Sequence, residues 1–334
     1  MEVDISSKLS IMQVEEFQRI SGSIVAELRK VIVGQDALLH DLLVTLLAGG
    51  NALLEGVPGL GKTLLVRTLA EILDCSFNRV QFTPDLMPAD IVGTMIISLS
   101  ADGNRGFRFE KGPVFANLVL ADEINRAAPR TQSALLEAMQ EGRVTVAGET
   151  HLLPQPFFVL ATQNPIEMEG TYPLPEAQID RFLYKIDIPY PAENQLIEIA
   201  KRTTGADLPQ AGKISDGESL LQMRRLARQV LVADEVYRYA ARLVGATHPP
   251  NPAAPASIRR NLRVGASPRG VQALIWAGKV EALLDNRKAL GIEDLRKVAY
   301  PSLRHRLILN FEALAEGVVP DAIIKDVLET TPVD

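Results

Sequence analysis

One cysteine, Cys75, stands in a chain of 334 residues. That excludes an intramolecular disulfide and any zinc site built on several cysteines. Cys75 closes a helical stretch beside apolar positions and is expected to be inert. The four histidines, at 40, 151, 248 and 305, are scattered without metal-ligand spacing. A surplus of positive charge is also missing. The net charge is −6, which argues against a uniformly basic DNA-binding surface but leaves room for a local basic channel. No apolar run is long enough to span a bilayer. The longest, residues 42–54, is interrupted by Gly49-Gly50-Asn51. Residues 1–10 carry neither a basic stretch nor an apolar one of the secretory kind, so a cytoplasmic protein is expected. No internal repeat or low-complexity tract stands out. What is present is globular material, 47% apolar and 23% charged, in a length that suits two domains.

The most informative stretch is Gly56-Val57-Pro58-Gly59-Leu60-Gly61-Lys62-Thr63, with the spacing G-x-x-x-x-G-K-[ST]. It follows the apolar run Ala52-Leu53-Leu54, which reads as a buried strand. It precedes residues 64–73, whose apolar spacing reads as a helix. In that context successive backbone N–H groups wrap a polyphosphate, and the helix N-terminus adds positive partial charge. Lys62 is the candidate for the β- and γ-phosphates, and the Thr63 hydroxyl for Mg²⁺. Leu64 opens the helix beside them.

Upstream, Val14, Phe17, Ile20, Ile24 and Leu28 predict a helix, and a second is expected over residues 36–48. Downstream, strands are expected at residues 80–82, 117–121, 157–161 and 182–188. They alternate with helices and several are continuously apolar, which predicts a mostly parallel sheet covered on both faces. Two hairpins interrupt the alternation, at residues 94–110 and 142–154. The tip of the first carries Asn104 and Arg105, exposed-loop candidates for binding. After Pro189-Tyr190-Pro191 the strand signal stops and helices dominate. The expected division is therefore a core over 1–190 and a helical domain over 191–334, with Trp276 in the helical core.

Asp122-Glu123 closes an apolar strand expected beside the P-loop strand. A carboxylate there can hold Mg²⁺ through water, and a neighbouring glutamate can polarise an attacking water. A solvated acidic pair would look the same in isolation; the preceding Lys62 motif favours chemistry. Asn164 ends the next buried strand and would lie between the P-loop strand and the acidic strand. It could orient the lytic water or simply open the turn before Pro165. Arg181 and Arg269 are the cation candidates for a transferring phosphoryl group, each also readable as an ordinary surface arginine. Arg304-His305-Arg306 reads as a solvated or inter-subunit face, with nucleic acid as the alternative.

Together these pieces resemble the AAA+ ATPases and, within them, the MoxR family. Residues 56–63 look like Walker A, residues 118–127 like Walker B and its extension, and Thr162-Gln163-Asn164-Pro165 like sensor 1. Residues 173–182 look like the arginine-finger segment, and Gly265-Ala266-Ser267-Pro268-Arg269 like sensor 2. Residues 303–312 are similar to a MoxR C-terminal signature. The resemblance implies an α/β fold: an αβα P-loop NTPase core with two β-hairpin inserts, followed by an all-α lid. It implies ATP and Mg²⁺ as cofactors, with Thr63 and Asp122 toward the metal and Glu123, Asn164, Arg181 and Arg269 toward catalysis. It places Val33 and Gly34 at the adenine through their backbone. It implies a homo-oligomeric ring, usually hexameric, with ATP between subunits. Arg181 would then act in trans, while Arg269 is open between cis and trans. Family members are proposed to remodel or activate other proteins or insert metals into them, often with von Willebrand factor A domain partners. Two other readings stay beside this one: a nucleotide-gated binding module with slow hydrolysis, and a DNA-associated motor like the MCM group.

Overall fold

The computed structural model describes residues 12–99, 105–164, 171–205 and 208–333. Two helices come first, α1 (Val14–Val31) and α2 (Asp36–Ala48). The apolar positions of α1 fall three and four apart and line one buried side. In α2 nearly every position from Leu38 to Ala48 is apolar, and the helix is buried almost all round. It packs against the sheet on one side and later helices on the other.

The first half of the chain then alternates strands and helices. In order these are β1 (Ala52–Glu55), α3 (Lys62–Ile72), β2 (Phe77–Gln81), α4 (Pro88–Val92), β3 (Gly93–Leu99), β4 (Arg105–Lys111), β5 (Leu118–Asp122), α5 (Pro129–Glu141), β6 (Arg143–Val146), β7 (Glu149–Leu152), β8 (Phe158–Gln163), α6 (Glu176–Ile179) and β9 (Tyr184–Asp187). Among the described residues the main sheet runs β2-β5-β8-β1-β9, every pair parallel. Alternate side chains of its central strands enter opposite cores. Leu118, Leu120, Phe158 and Leu160 join the core containing α1 and α2. Val119, Ala121, Val159 and Ala161 join the core beneath α5.

One expectation needs correction. The acidic strand β5 is not beside the P-loop strand β1, because β8 lies between them, the place expected for Asn164 at its end. The carboxyl ends still converge, with Glu55 opposite Gln163 and Gln81 opposite Asp122. Both expected hairpins are present, as β3–β4 and β6–β7. The Phe109 ring stacks on His151 at 3.9 Å and joins them. Arg105 is exposed at the start of β4, while Asn104 lies outside the described residues.

Past Pro191 the chain is mainly helical: α7 (Glu193–Thr203), α8 (Gly217–Gln229), α9 (Asp234–Gly245), α10 (Ala256–Asn261), α11 (Pro268–Leu284), α12 (Ile292–Leu303), α13 (Phe311–Ala315) and α14 (Pro320–Thr330). The helical lid is as expected, with an addition. Two short ribbons tie it, β10 (Leu231–Val232) to β12 (Ala289–Leu290) and β11 (Leu262–Val264) to β13 (Ile308–Leu309). The buried helix α11 is its axis, packing on α2, α8, α9 and α12. Trp276 on α11 is half-buried against the core, with the Arg228 guanidinium 4.8 Å from its ring centre.

Candidate functional site

β1 delivers the chain to a buried Gly56, and the loop through half-buried Val57, exposed Pro58 and half-buried Leu60 turns into α3 at Gly61. Gly59 and Gly61 have φ of +85° and +77°. A side chain is disfavoured in that region by roughly 1–2 kcal/mol. A Cβ at either position would meet nothing within 4 Å, so backbone conformation and not crowding requires glycine, and open space lies over the loop. Lys62 opens α3, and its ammonium donates to the Gly56 carbonyl at 2.6 Å. Burial lowers the Lys62 pKa, while Asp122, Glu123 and Glu55 favour its charged form.

The loop forms one wall of a cleft of about 450 Å³; Lys62, Thr63, Arg79, Asp122, Glu123 and Asn164 also line it. The P-loop, the acidic pair and Asn164, widely separated in sequence, meet there. Thr162, on β8 between the two strands, ties the acidic pair down. Its hydroxyl donates to Asp122 Oδ1 at 2.6 Å and accepts the Glu123 N–H at 2.8 Å. Asp122 Oδ2 accepts from Arg79 Nη2 at 2.6 Å and Nε at 3.1 Å. Glu123 holds a left-handed backbone at φ +56°. Its Oε2 accepts from Gln81 Nε2 at 2.8 Å and lies 3.2 Å from Arg126 Nε. Asn164 is buried at the cleft wall. Sequence reasoning passed over Arg79, Gln81 and Thr162. Thr162 carried a signal, a hydroxyl at the end of an apolar strand. Arg79 and Gln81 carried none, since alternate polar residues on an edge strand are ordinary.

The donor set fits the implied groups. An ammonium and backbone N–H groups at a helix start suit phosphate oxygens. A hydroxyl and a carboxylate in one cleft suit a hard cation that keeps waters and phosphate ligands. Among the described residues no cluster of three or more His, Cys, Asp or Glu could hold a metal.

A second, more apolar cleft of about 340 Å³ shares Pro58, Gly59, Leu60, Gly61 and Leu64 with the first. Val33 lines it, as do Tyr190, Leu196 and Ile199. Gly34 is placed differently from Val33. Its carbonyl accepts from Gln195 Nε2 of α7 at 2.7 Å, and Gly34 is not in the cleft wall. The apolar wall and adjoining phosphate cradle suit a nucleobase and its polyphosphate.

Arg181 and Arg269 stand apart from both clefts. Arg181 lines a third cleft of about 500 Å³ beside α5 and β6. Its Nη1 donates to the Leu136 carbonyl at 3.3 Å, and its buried Nε has no partner. Arg269 Nη1 is 3.5 Å from Asp180 Oδ2. The reading of Arg304-His305-Arg306 as a solvated, inter-subunit or nucleic-acid face is overturned, because these side chains grip the core. Arg304 pairs with Asp187 and Asp321 at 3.2 and 2.8 Å. His305 Nε2 donates to the Phe182 carbonyl at 3.1 Å, and burial pushes the His305 pKa well below its usual value. Arg306 is buried, pairs with Asp180 Oδ1 at 2.8 Å and donates to the carbonyls of Asp180, Phe182 and Leu183.

Known proteins share this arrangement. Residues 51–184 match the model of the ATPase family associated with various cellular activities (AAA), and residues 256–327 match the AAA lid domain. The chain is 46% identical to the protein named Chaperone MoxR1 of Mycobacterium tuberculosis, over 91% of this chain and 80% of that one. It is 33% identical to Protein MoxR of Methylorubrum extorquens, over 92% and 93% of the two chains. A solved crystal structure of a Cytophaga hutchinsonii protein superposes with a TM-score of 0.89 at 42% identity, covering 96% of each chain. A P-loop cleft closed by an acidic strand end, a helical lid clamped behind it, and likeness to MoxR proteins over more than nine-tenths of the chain lead to one assignment: the chain belongs to the MoxR family of AAA+ ATPases.

Proposed function

We propose that this protein binds and hydrolyses ATP with Mg²⁺ in a homo-oligomeric ring, and couples turnover to remodeling or activation of a partner protein. The observation that carries the reading is the convergence of Lys62, Thr63, Asp122, Glu123 and Asn164 on one cleft. Lys62 and the N–H groups of residues 56–64 hold the phosphates, and the base rests against the apolar wall that includes Val33. Gly34 supports that wall through Gln195. Thr63 and Asp122 would hold Mg²⁺, which supplies neutralisation of charge on the phosphate oxygens. Glu123 takes the proton of the attacking water, and Asn164 orients that water. Arg181 and Arg269 serve the site of the adjacent subunit. Their distance from their own P-loop cleft supports action in trans for both. The core spans 1–190 and the lid 191–334.

A hexamer, a von Willebrand factor A domain partner, metal insertion and a cytoplasmic setting complete the proposal. The name of the Mycobacterium tuberculosis relative supports a chaperone-like role. No helix among the described residues is long and apolar enough to cross a membrane. A nucleotide-gated module with slow hydrolysis is the second reading, favoured by the placement of Arg181 and Arg269 outside the wall of their own subunit's P-loop cleft. A DNA-associated motor loses support, since Arg304 and Arg306 engage carboxylates and carbonyls of their own chain. Glu123→Gln is the test. It should retain ATP binding, lose turnover by at least about 100-fold, and capture the partner in an ATP-dependent way. Turnover at the wild-type rate would remove Glu123 from the mechanism.

A further inference from the structure

Asp180 immediately precedes Arg181, yet it turns toward the lid. Its carboxylate is 16% exposed and faces three lid side chains. Oδ1 accepts from Arg306 Nε at 2.8 Å. Oδ2 accepts from the Ser267 hydroxyl at 2.8 Å and lies 3.5 Å from Arg269 Nη1. Ser267 in turn caps α11, accepting the Arg269 N–H at 3.1 Å. One carboxylate therefore sets the start of the helix that carries Arg269 and the turn that carries Arg181.

The backbone around it is held as firmly. The Arg306 guanidinium donates to the carbonyls of Asp180 (3.1 Å), Phe182 (2.7 Å) and Leu183 (3.2 Å), and His305 Nε2 donates to Phe182. The Arg181 side chain has far less holding it. One 3.3 Å bond to Leu136 restrains its guanidinium, and Nε is buried without a partner. Its position is thus dictated from behind, by residue 180 and the lid, more than by its own contacts.

We propose that Asp180 is a positioning residue that fastens Arg181 and Arg269 into one rigid unit, so that both cations reach the neighbouring subunit's phosphates together. The proposal rests on the trans reading given above. Asp180 touches no nucleotide; it acts through the two arginines. It also joins the finger to its own subunit's lid, so a lid displacement in one subunit is transmitted to hydrolysis in the next. Arg269 and the buried Arg306 share this carboxylate, and without it they would face each other as uncompensated cations.

The test uses mixed rings. Asp180→Asn subunits keep their own P-loop cleft and present a loosened finger. Lys62→Ala subunits hold no nucleotide and present an intact finger. Asp180→Asn alone should lower kcat by about 10- to 100-fold, with KM for ATP changed far less. Mixing it with Lys62→Ala should give turnover above that of either parent, because the intact finger then serves the intact cleft. Asp180→Glu, which keeps the charge, should recover part of the kcat. Ser267→Ala leaves the Arg306–Asp180 pair in place. It repeats the experiment if Asp180→Asn does not fold, and should show a smaller kcat loss complemented in the same way. Arg181→Ala mixed with Lys62→Ala is the control for the trans reading. If that control gains activity and the Asp180→Asn mixture does not, the positioning role is wrong and trans action stands. If the control gains nothing, trans action fails and takes this inference with it.

Discussion

Both oxygens of Asp122 are engaged, one by the Thr162 hydroxyl and the other by the Arg79 guanidinium. On the proposed reading, Asp122 would be free to help hold Mg²⁺ only when Arg79 gives way. Arg79→Gln should therefore lower the Mg²⁺ concentration needed for half-maximal binding of a non-hydrolysable ATP analogue by about threefold or more, since a charge-assisted bond is worth about 1.5–3 kcal/mol. An unchanged Mg²⁺ requirement would show that the pair does not compete with the metal. At Gly61 the expected cost is conformational. Gly61→Ala should destabilise the protein by about 1–2 kcal/mol in urea unfolding, although an added methyl has room. Individual residues were unevenly legible. Lys62, Thr63, Asp122 and Glu123, which line one cleft, could be singled out because a P-loop and an acidic strand end are local signals. Arg79 and Gln81 could not, since their meaning depends on which strand lies beside β2, and pairing is set by topology.

Between elements, the seam joining α2, α11, α12 and β9 holds buried charge. His40 Nε2 meets Glu281 Oε1 at 2.6 Å, and that hydrogen bond raises the His40 pKa. Next to it, burial pushes the Asp41 carboxyl up to about 6, with His40 and Arg304 opposing the shift and Glu281 adding to it. Folded Asp41 thus binds its proton more tightly than unfolded Asp41. Its contribution is present at pH 4 and lost as pH rises through about 6. His40 has the same sign, losing its contribution as pH climbs through its raised value. Asp41→Asn should accordingly gain stability over wild type as pH goes from 4 to 7, by on the order of 1 kcal/mol. Melting curves across that range would check it; a pH-independent difference would contradict it. Arg306→Ala should cost about 3–5 kcal/mol, because it removes one partner of a buried ion pair and releases the carbonyls of Asp180, Phe182, Leu183 and Ser302. Denaturant unfolding would measure that loss. The clamp was misread from sequence for a definable reason. A run of Arg-His-Arg reads as solvated unless its counter-groups are visible, and these lie at residues 180–187 and 321, far along the chain. The hairpins and apolar strands were legible because their signals are local.

For the molecule as a whole, the two arginines presented away from the P-loop cleft make a lone subunit catalytically incomplete on the proposed reading. Turnover per subunit should rise with protein concentration and track the ring population seen by sedimentation. Constant turnover down to monomer would refute a shared site. The parallel sheet and helical lid were predictable from strand–helix alternation and its end at residue 190. The full strand order was not, although Asn164, at the end of β8, was expected between the P-loop and acidic strands and the sheet puts it there. One further property follows from a side chain noted in the lid. Trp276 is the single tryptophan, and it sits on α11, the helix that Asp180 and Ser267 fasten at its start. Tryptophan emission from this protein therefore has one source per subunit. Its wavelength and quenching report the packing of α11 against Arg228 of α8, so the lid can be followed optically in real time, without a label.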